Sequence, residues 1–231
     1  MTQSAPARTP GTPASERELR TQGKQTMAKL LDAGLLVLTE RGYHAARVDD
    51  IVRVADMSHG TFYLYFANKE DLFRALASEC AAEMTALAAT LGPVTADAAG
   101  REELARWLAQ FLATYRRYGA VIRAWMEDQV LDRELMRVGL KAFAAINTNL
   151  RSRLEEADPR HLRDTQAATA AMLAMVERLA YFTSSRDLGF EDAAVVDTLA
   201  TMLHRGVFGA PGAAKTRHGA TRRRATASKR S

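Results

Sequence analysis

Apolar residues recur along this chain at spacings of three and four, the period of amphipathic helices, and no stretch keeps the alternation of a half-buried strand. The predicted first helix runs from about Glu18 or Gln22 to Arg41. Met27, Leu30, Leu31, Leu35 and Leu38 lie on its inner face, and Gly42 stops it as a C-terminal glycine. A second helix, about Val48 to Ala55, turns Val48, Ile51, Val52 and Ala55 to one side. A third begins after Ser58 and sends Phe62 and Phe66, four apart, toward the core. Asn68 followed by Asp71 makes a capping-box-like start for a fourth. It continues through Leu72, Leu76, Met84 and Leu87 toward Leu91, and Gly92-Pro93 ends it.

Beyond a linker at 92–100, Leu104, Trp107, Leu108, Phe111, Tyr115 and Tyr118 form the next stripe. Gly119 interrupts it, and Val121, Ile122, Trp125 and Met126 follow on a short segment. Leu140, Phe143, Ile146 and Leu150 mark a helix that ends before Asp158-Pro159. Two last helices are expected at roughly 162–184 and 191–208. The fold class is therefore all-α: a three-helix head at 17–66 and a helical domain at 67–210. Residues 1–16 and 211–231 lack an apolar period and read as disordered tails.

The closely spaced second and third helices, joined by a three-residue turn, have the spacing of a DNA-binding helix-turn-helix. Asp56 occupies a turn position that usually needs a positive φ; glycine would be cheaper there, but Asp tolerates it. Ser58 is placed to cap the third helix. His59, Thr61, Tyr63 and Tyr65 are left for its other faces, and Gly60 lets backbone approach a partner closely. Ser58, Thr61, Tyr63 and Tyr65 can donate hydroxyls to phosphates, as can the first N–H groups of the helix, and Lys69 can meet another phosphate. Simple core packing of the aromatics is the competing reading; turn, cap and exposed tyrosines together speak against it.

Charge changes this picture less than the pI of about 9.5 suggests. Residues 1–26 carry a net +2, 27–80 a net −2, 81–210 a net −2 and 211–231 a net +7, which sum to the formal +5. The positive excess thus sits in the tails, and a DNA-binding body must rest on individual residues. Arg17, Arg20 and Lys24 can reach a minor groove beside the recognition site, and Arg222, Arg223, Arg224, Lys229 and Arg230 can hold DNA non-specifically. A solvated tail explains the same residues equally well.

The stretch from Ser58 to Leu72, S-H-G-T-F-Y-L-Y-F-x-N-K-E-D-L, closely resembles the TetR family of bacterial transcriptional regulators. Motif-level similarity covers about residues 25–76, including Gly42-Tyr43. By that resemblance Phe62 and Phe66 are core positions, and Ser58, His59, Gly60, Thr61, Tyr63, Tyr65 and Lys69 match positions that approach DNA. Two departures stand out. Family members usually carry Thr where Arg47 stands, so the second helix loses its cap, although Arg47 can still pair with a phosphate. Asp56 replaces the usual turn glycine. Between His59 and Phe66 there is also no Arg, Lys, Asn or Gln. Each bidentate reader of that kind would supply about 1–3 kcal/mol of base discrimination. Specificity is therefore expected to lean on His59, Thr61, the tyrosines, DNA shape and Arg47.

The resemblance makes the C-terminal half a ligand sensor for a small apolar or amphipathic effector. Trp107, Phe111, Tyr115, Trp125, Met126, Phe143, Asn147 and Phe182 are candidate pocket residues there, against the default of plain core. It also pairs the last two helices with their twofold mates. A homodimer reading a palindromic double-stranded operator needs that axis. The expected function is a DNA-binding regulator, a repressor released by its ligand.

No span of membrane length and no apolar secretory segment occur. The single cysteine, Cys80, fits a reducing cytoplasm. Enzyme readings find no G-x-S-x-G, P-loop or G-x-G-x-x-G, and His44, His59, His161, His204 and His218 show no metal-ligand spacing, so neither catalysis, metal nor cofactor is expected. The rival is an all-α small-molecule-binding or enzymatic protein with a vestigial helix-turn-helix.

Overall fold

The computed structural model describes residues 21–126, 133–157, 162–185 and 189–209, with backbone only for Thr21, Met126 and Ser185. The expected arm at 1–16, Arg17, Arg20 and the basic cluster of the C-terminal tail lie outside the described residues. Among the described residues the chain forms nine α-helices and no strand.

Helix α1 (Thr21–Ala45) buries Leu30, Ala33, Val37 and Leu38 along one stripe. At Gly34 a Cβ would stand 2.6 Å from a Leu72 methyl, so α1 crosses α4 (Lys69–Ala89) at close range. Regular helix breaks at Gly42, where φ is 74°. The short helices α2 (Val48–Ala55) and α3 (His59–Tyr65) follow. Phe62, Phe66, Ile51, Leu72, Phe73 and Leu76 converge between these elements with almost no exposed surface.

That head core does not stop at residue 66. Tyr118, Ala120, Val121 and Ala124 around α6 (Gly119–Met126), together with Leu135 of α7 (Arg133–Glu156), are buried in the same cluster. The division expected between a head at 17–66 and a domain at 67–210 therefore passes through a continuous core. One long and two short helices bury too little surface on one side, and α4 and α6 close it.

A second core lies between α5 (Ala98–Arg117), α8 (Thr165–Ser185) and α9 (Asp192–Phe208). Leu104, Leu108, Phe111 and Leu112 meet Val176, Ala180, Leu199 and Leu203 there. Asp97 starts α5 by accepting the Gly100 N–H at 3.1 Å and the Thr95 hydroxyl at 2.6 Å, which shortens the expected linker. Those bonds, the Thr95 one foremost, hold the Asp97 carboxyl below its ordinary value. Helix α7 packs on α4 and α8.

Candidate nucleic-acid interface and ligand cavity

The turn between α2 and α3 is built as its sequence suggests. Asp56 adopts the left-handed conformation (φ 53°, ψ 52°), and the Met57 N–H reaches back to the Val52 carbonyl at 2.9 Å. This closes the end of α2 at the cost of a non-glycine residue in a region that disfavours a Cβ. Ser58 Oγ accepts the Thr61 N–H at 3.1 Å and pairs with the Thr61 hydroxyl at 3.0 Å. Arg47 stands at the start of α2 with an extended backbone and no side-chain cap. Buried Asp50 takes Arg53 of its own helix and Arg41 of α1, the latter at 3.3 Å. The Arg41 pair ties α2 back to α1.

The buried ring of Phe62 anchors α3 and leaves its other side exposed. Tyr63 is 48% exposed and meets Phe62 edge-on. His59 and Gly60 are exposed beside it, and Thr61 is half-buried. Tyr65 is half-buried against the head core, so part of its ring is spent on packing. His59 also has a partner that the sequence did not suggest. Its Nε2 lies 2.7 Å from Asp49 Oδ1 of α2, across the turn. This bond is the main reason the Asp49 carboxyl falls below its ordinary value, helped by the charges of His59, Arg47 and Arg53.

Lys69 has partners within the protein. Its ammonium donates to the Tyr43 carbonyl at 2.9 Å and lies 4.5 Å from the centre of the Tyr43 ring. Tyr43 itself is buried, so Lys69 ties the loop after α1 to the first turn of α4. A charge next to an otherwise unpaired carbonyl at a broken helix end is its nearest favourable partner. Asn68 accepts the Asp71 N–H at 2.8 Å, and Asp71 answers by accepting the Ala67 N–H at 2.9 Å.

In the C-terminal half a cavity of about 640 Å³ opens between α4, α5, α6, α7 and α8. Phe111, Tyr115, Trp125, Phe143 and Asn147 line it as expected. Two expected residues lie elsewhere. The indole N–H of Trp107 donates to the Leu87 carbonyl at 2.9 Å, and its ring packs in the second core, beside a separate void of about 50 Å³. Phe182 lies on an outer surface of α8, 39% exposed. Both share the helical phase of a stripe, but the way α5 and α8 pack turns Trp107 into the second core and leaves Phe182 outside. The Met126 side chain lies outside the described residues. The sequence reading also missed Met136 and Leu140, which with Phe143 form a row along α7, and Glu177 of α8. The row was legible as spacing of four and three.

Trp125 lies against α7 where Gly139 has no side chain; a Cβ there would come within 2.3 Å of the indole. On the same helix as Trp125 and Ile122, Val121 and Ala124 are buried in the head core. Cys80 is also in the cavity wall, and burial pushes its thiol up to about 12, so it stays protonated and inert.

Residues 30–76 match the family model described as bacterial regulatory proteins, tetR family. Among curated proteins, the chain is similar to the fatty acid metabolism regulator protein of Bacillus subtilis (strain 168), 40% identical over 58 residues, 25% of this chain and 30% of that protein. It is similar also to the transcriptional regulator AcuR of Cereibacter sphaeroides, 39% identical over 71 residues, 29% of this chain and 32% of that protein. The chain thus spans less than a third of the length of these two relatives. Solved structures agree over more of the fold. A tetR-family regulatory protein from Rhodococcus RHA1 superposes with a TM-score of 0.64 at 19% identity, covering 80% of this chain and 98% of that one. FadR from Bacillus subtilis in complex with stearoyl-CoA superposes with a TM-score of 0.59 at 20% identity, covering 79% and 98%. The amino-terminal head of this chain thus matches the model of the TetR family of bacterial regulatory proteins over residues 30–76, and the chain shares its fold with the solved tetR-family regulatory protein from Rhodococcus RHA1.

Proposed function

We propose that this chain is a sequence-specific DNA-binding regulator, a repressor that grips a palindromic operator as a homodimer and lets go when a small molecule fills the cavity. The observation that carries the DNA reading is the division of α3. Phe62 and Phe66 are wholly buried, while His59, Gly60 and Tyr63 are presented to solvent on a capped helix. Arg47, Ser58 and Thr61 join that face as phosphate partners, and Tyr65 contributes the part of its ring and hydroxyl that packing leaves. Lys69 reaches a phosphate only with the protons its Tyr43 contact does not use.

Exposed Met175 and Phe182 on α8 and Met202 on α9 support a dimer through the last two helices, since such side chains gain by being covered. Three large apolar side chains left open on α7, Met136, Leu140 and Phe143, support an apolar or amphipathic effector. Coupling runs through α6, whose two sides belong to the cavity and to the head core. A ligand that moves Trp125 moves Val121 and Ala124 with it. Release follows when the ligand binds the DNA-incompetent arrangement more tightly.

A gel-shift titration with DNA flanking the chain's own gene tests the DNA reading. The expected result is a salt-sensitive shift of dimer stoichiometry. Tyr63→Ala and His59→Ala should each weaken it by roughly tenfold, the loss of about one good contact. No shift with any native fragment, or variants that bind as the parent does, would favour a vestigial head instead.

A further inference from the structure

The cavity wall is apolar almost throughout, but its polar groups have one sign. Glu177 of α8 is the one side chain with a formal charge at neutral pH among the described lining residues, which include no Arg, Lys or His. One carboxylate oxygen is engaged, because Tyr115 donates its hydroxyl to Oε1 at 3.1 Å. Burial, reinforced by the charge of Glu177 and this bond, raises the Tyr115 phenol above its ordinary value, so it remains a neutral donor. The second oxygen, Oε2, lies 3.9 Å from Arg178 Nε, beyond hydrogen-bond reach. Arg178 is 55% exposed and lays its guanidinium over the Tyr181 ring at 5.3 Å from the centre. Asn147 of α7 adds a neutral donor and acceptor to the same wall.

We infer that this cavity receives an apolar molecule bearing a protonated amine, with the amine on Glu177 and the hydrocarbon along Met136, Leu140 and Phe143. The inference rests on the reading of the cavity as the effector site and narrows the class of effector. A carboxylate or phosphate carried to the same place would put like charges together, and the nearby cation, Arg178, is 55% exposed and turned over the Tyr181 ring rather than among the lining residues. An alcohol would donate one hydrogen bond to Glu177 and bring no charge. An ammonium donates the same bond and adds the attraction of a full opposite charge. The space is adequate: about 640 Å³ lies within the roughly 300–1,000 Å³ that holds drug-sized ligands.

Three probes of one chain length decide it: decylamine, decanol and decanoate, titrated calorimetrically into the full chain at neutral pH. Decylamine should bind roughly tenfold or more tighter than decanol, and decanoate weakest. Glu177→Gln should bring decylamine to the level of decanol, and decanol still binding the variant shows that it keeps its cavity. Decanoate binding as tightly as the amine, or an amine preference that survives Glu177→Gln, overturns the proposal but leaves the cavity an effector site. If that variant fails to fold, the three probes with the parent chain still decide. Failure of all three to bind the parent overturns both; loss of the operator shift bears on the head alone.

Discussion

Phe62 and Phe66 of α3 are fully buried, whereas Leu140 and Phe143 of α7, equally apolar, are 64% and 56% exposed. Around the first pair the end of α2 and the starts of α3 and α4 are closed locally: Ser58 and Asn68 cap, Met57 closes α2, and Asp71 takes the Ala67 N–H. Around the second pair the wall faces an open space of about 640 Å³. Burying one large apolar side chain is worth about 1.5–3 kcal/mol, and the head collects that gain while the α7 row forgoes it. The head is complete as a folded unit with α4 and α6 included. The α7 row gains its burial when something enters, which is how a small molecule can add free energy to one arrangement of the chain over another.

Truncation separates the two regions most sharply. Phe62→Ala should cost about 3–5 kcal/mol in chemical denaturation, the penalty of a cavity in a closed core. Phe143→Ala should stay within about 0.5 kcal/mol of the parent, as exposed positions do. Equal losses would mean that the cavity is closed in solution and would remove the contrast.

Filling a space gives the next largest effect. Gly139→Ala puts a Cβ within 2.3 Å of the Trp125 ring, so the indole has to shift. A loss of about 1–3 kcal/mol from overpacking, with a changed tryptophan emission, is expected. An unchanged spectrum would show that Trp125 does not rest on α7. Within the head, Asp56→Gly should raise stability by about 0.5 kcal/mol, the balance between relieved left-handed strain and a more flexible unfolded chain. A fall in melting temperature would show that the Asp56 side chain contributes more than its backbone costs.

Acid titration gives the smallest effect. Arg116, linked to Asp192 at the start of α9, holds that carboxyl below its ordinary value, as the Thr95 hydroxyl does for Asp97. Because the folded values are depressed, the stabilisation is present above the ordinary carboxylate range and is lost as pH falls through the lowered values. Melting temperature should therefore begin to fall below about pH 4. Both carboxyls are exposed, so Asp192→Asn should flatten that fall only slightly. A stability unchanged down to the lowered values would remove both pairs from the account.

Much of the head could be read directly. Local rules decide its parts: the glycine at 42, the left-handed Asp56, the Ser58 and Asn68 caps and the paired phenylalanines each depend on neighbours within four residues. The reading failed where a partner comes from far along the chain. His59 meets Asp49 ten residues away, and Lys69 meets the Tyr43 carbonyl twenty-six away, so neither contact leaves a local trace. In the cavity, helical spacing put Phe111, Tyr115, Phe143 and Asn147 on usable faces, but Trp107 and Phe182 share the same periods and lie elsewhere.

By itself, then, the order of residues settled which segments are helices, where they start and stop, and which short pair forms the helix-turn-helix. These follow from dihedral preference, capping and period, all of them short-range. Only the tertiary structure decided that one core joins the head to α6, that Glu177 is the charge among the described residues of the cavity wall, and that Trp125 is seated on Gly139. Those facts depend on how helices cross, and crossing is governed by complementary surfaces that are distant in the chain.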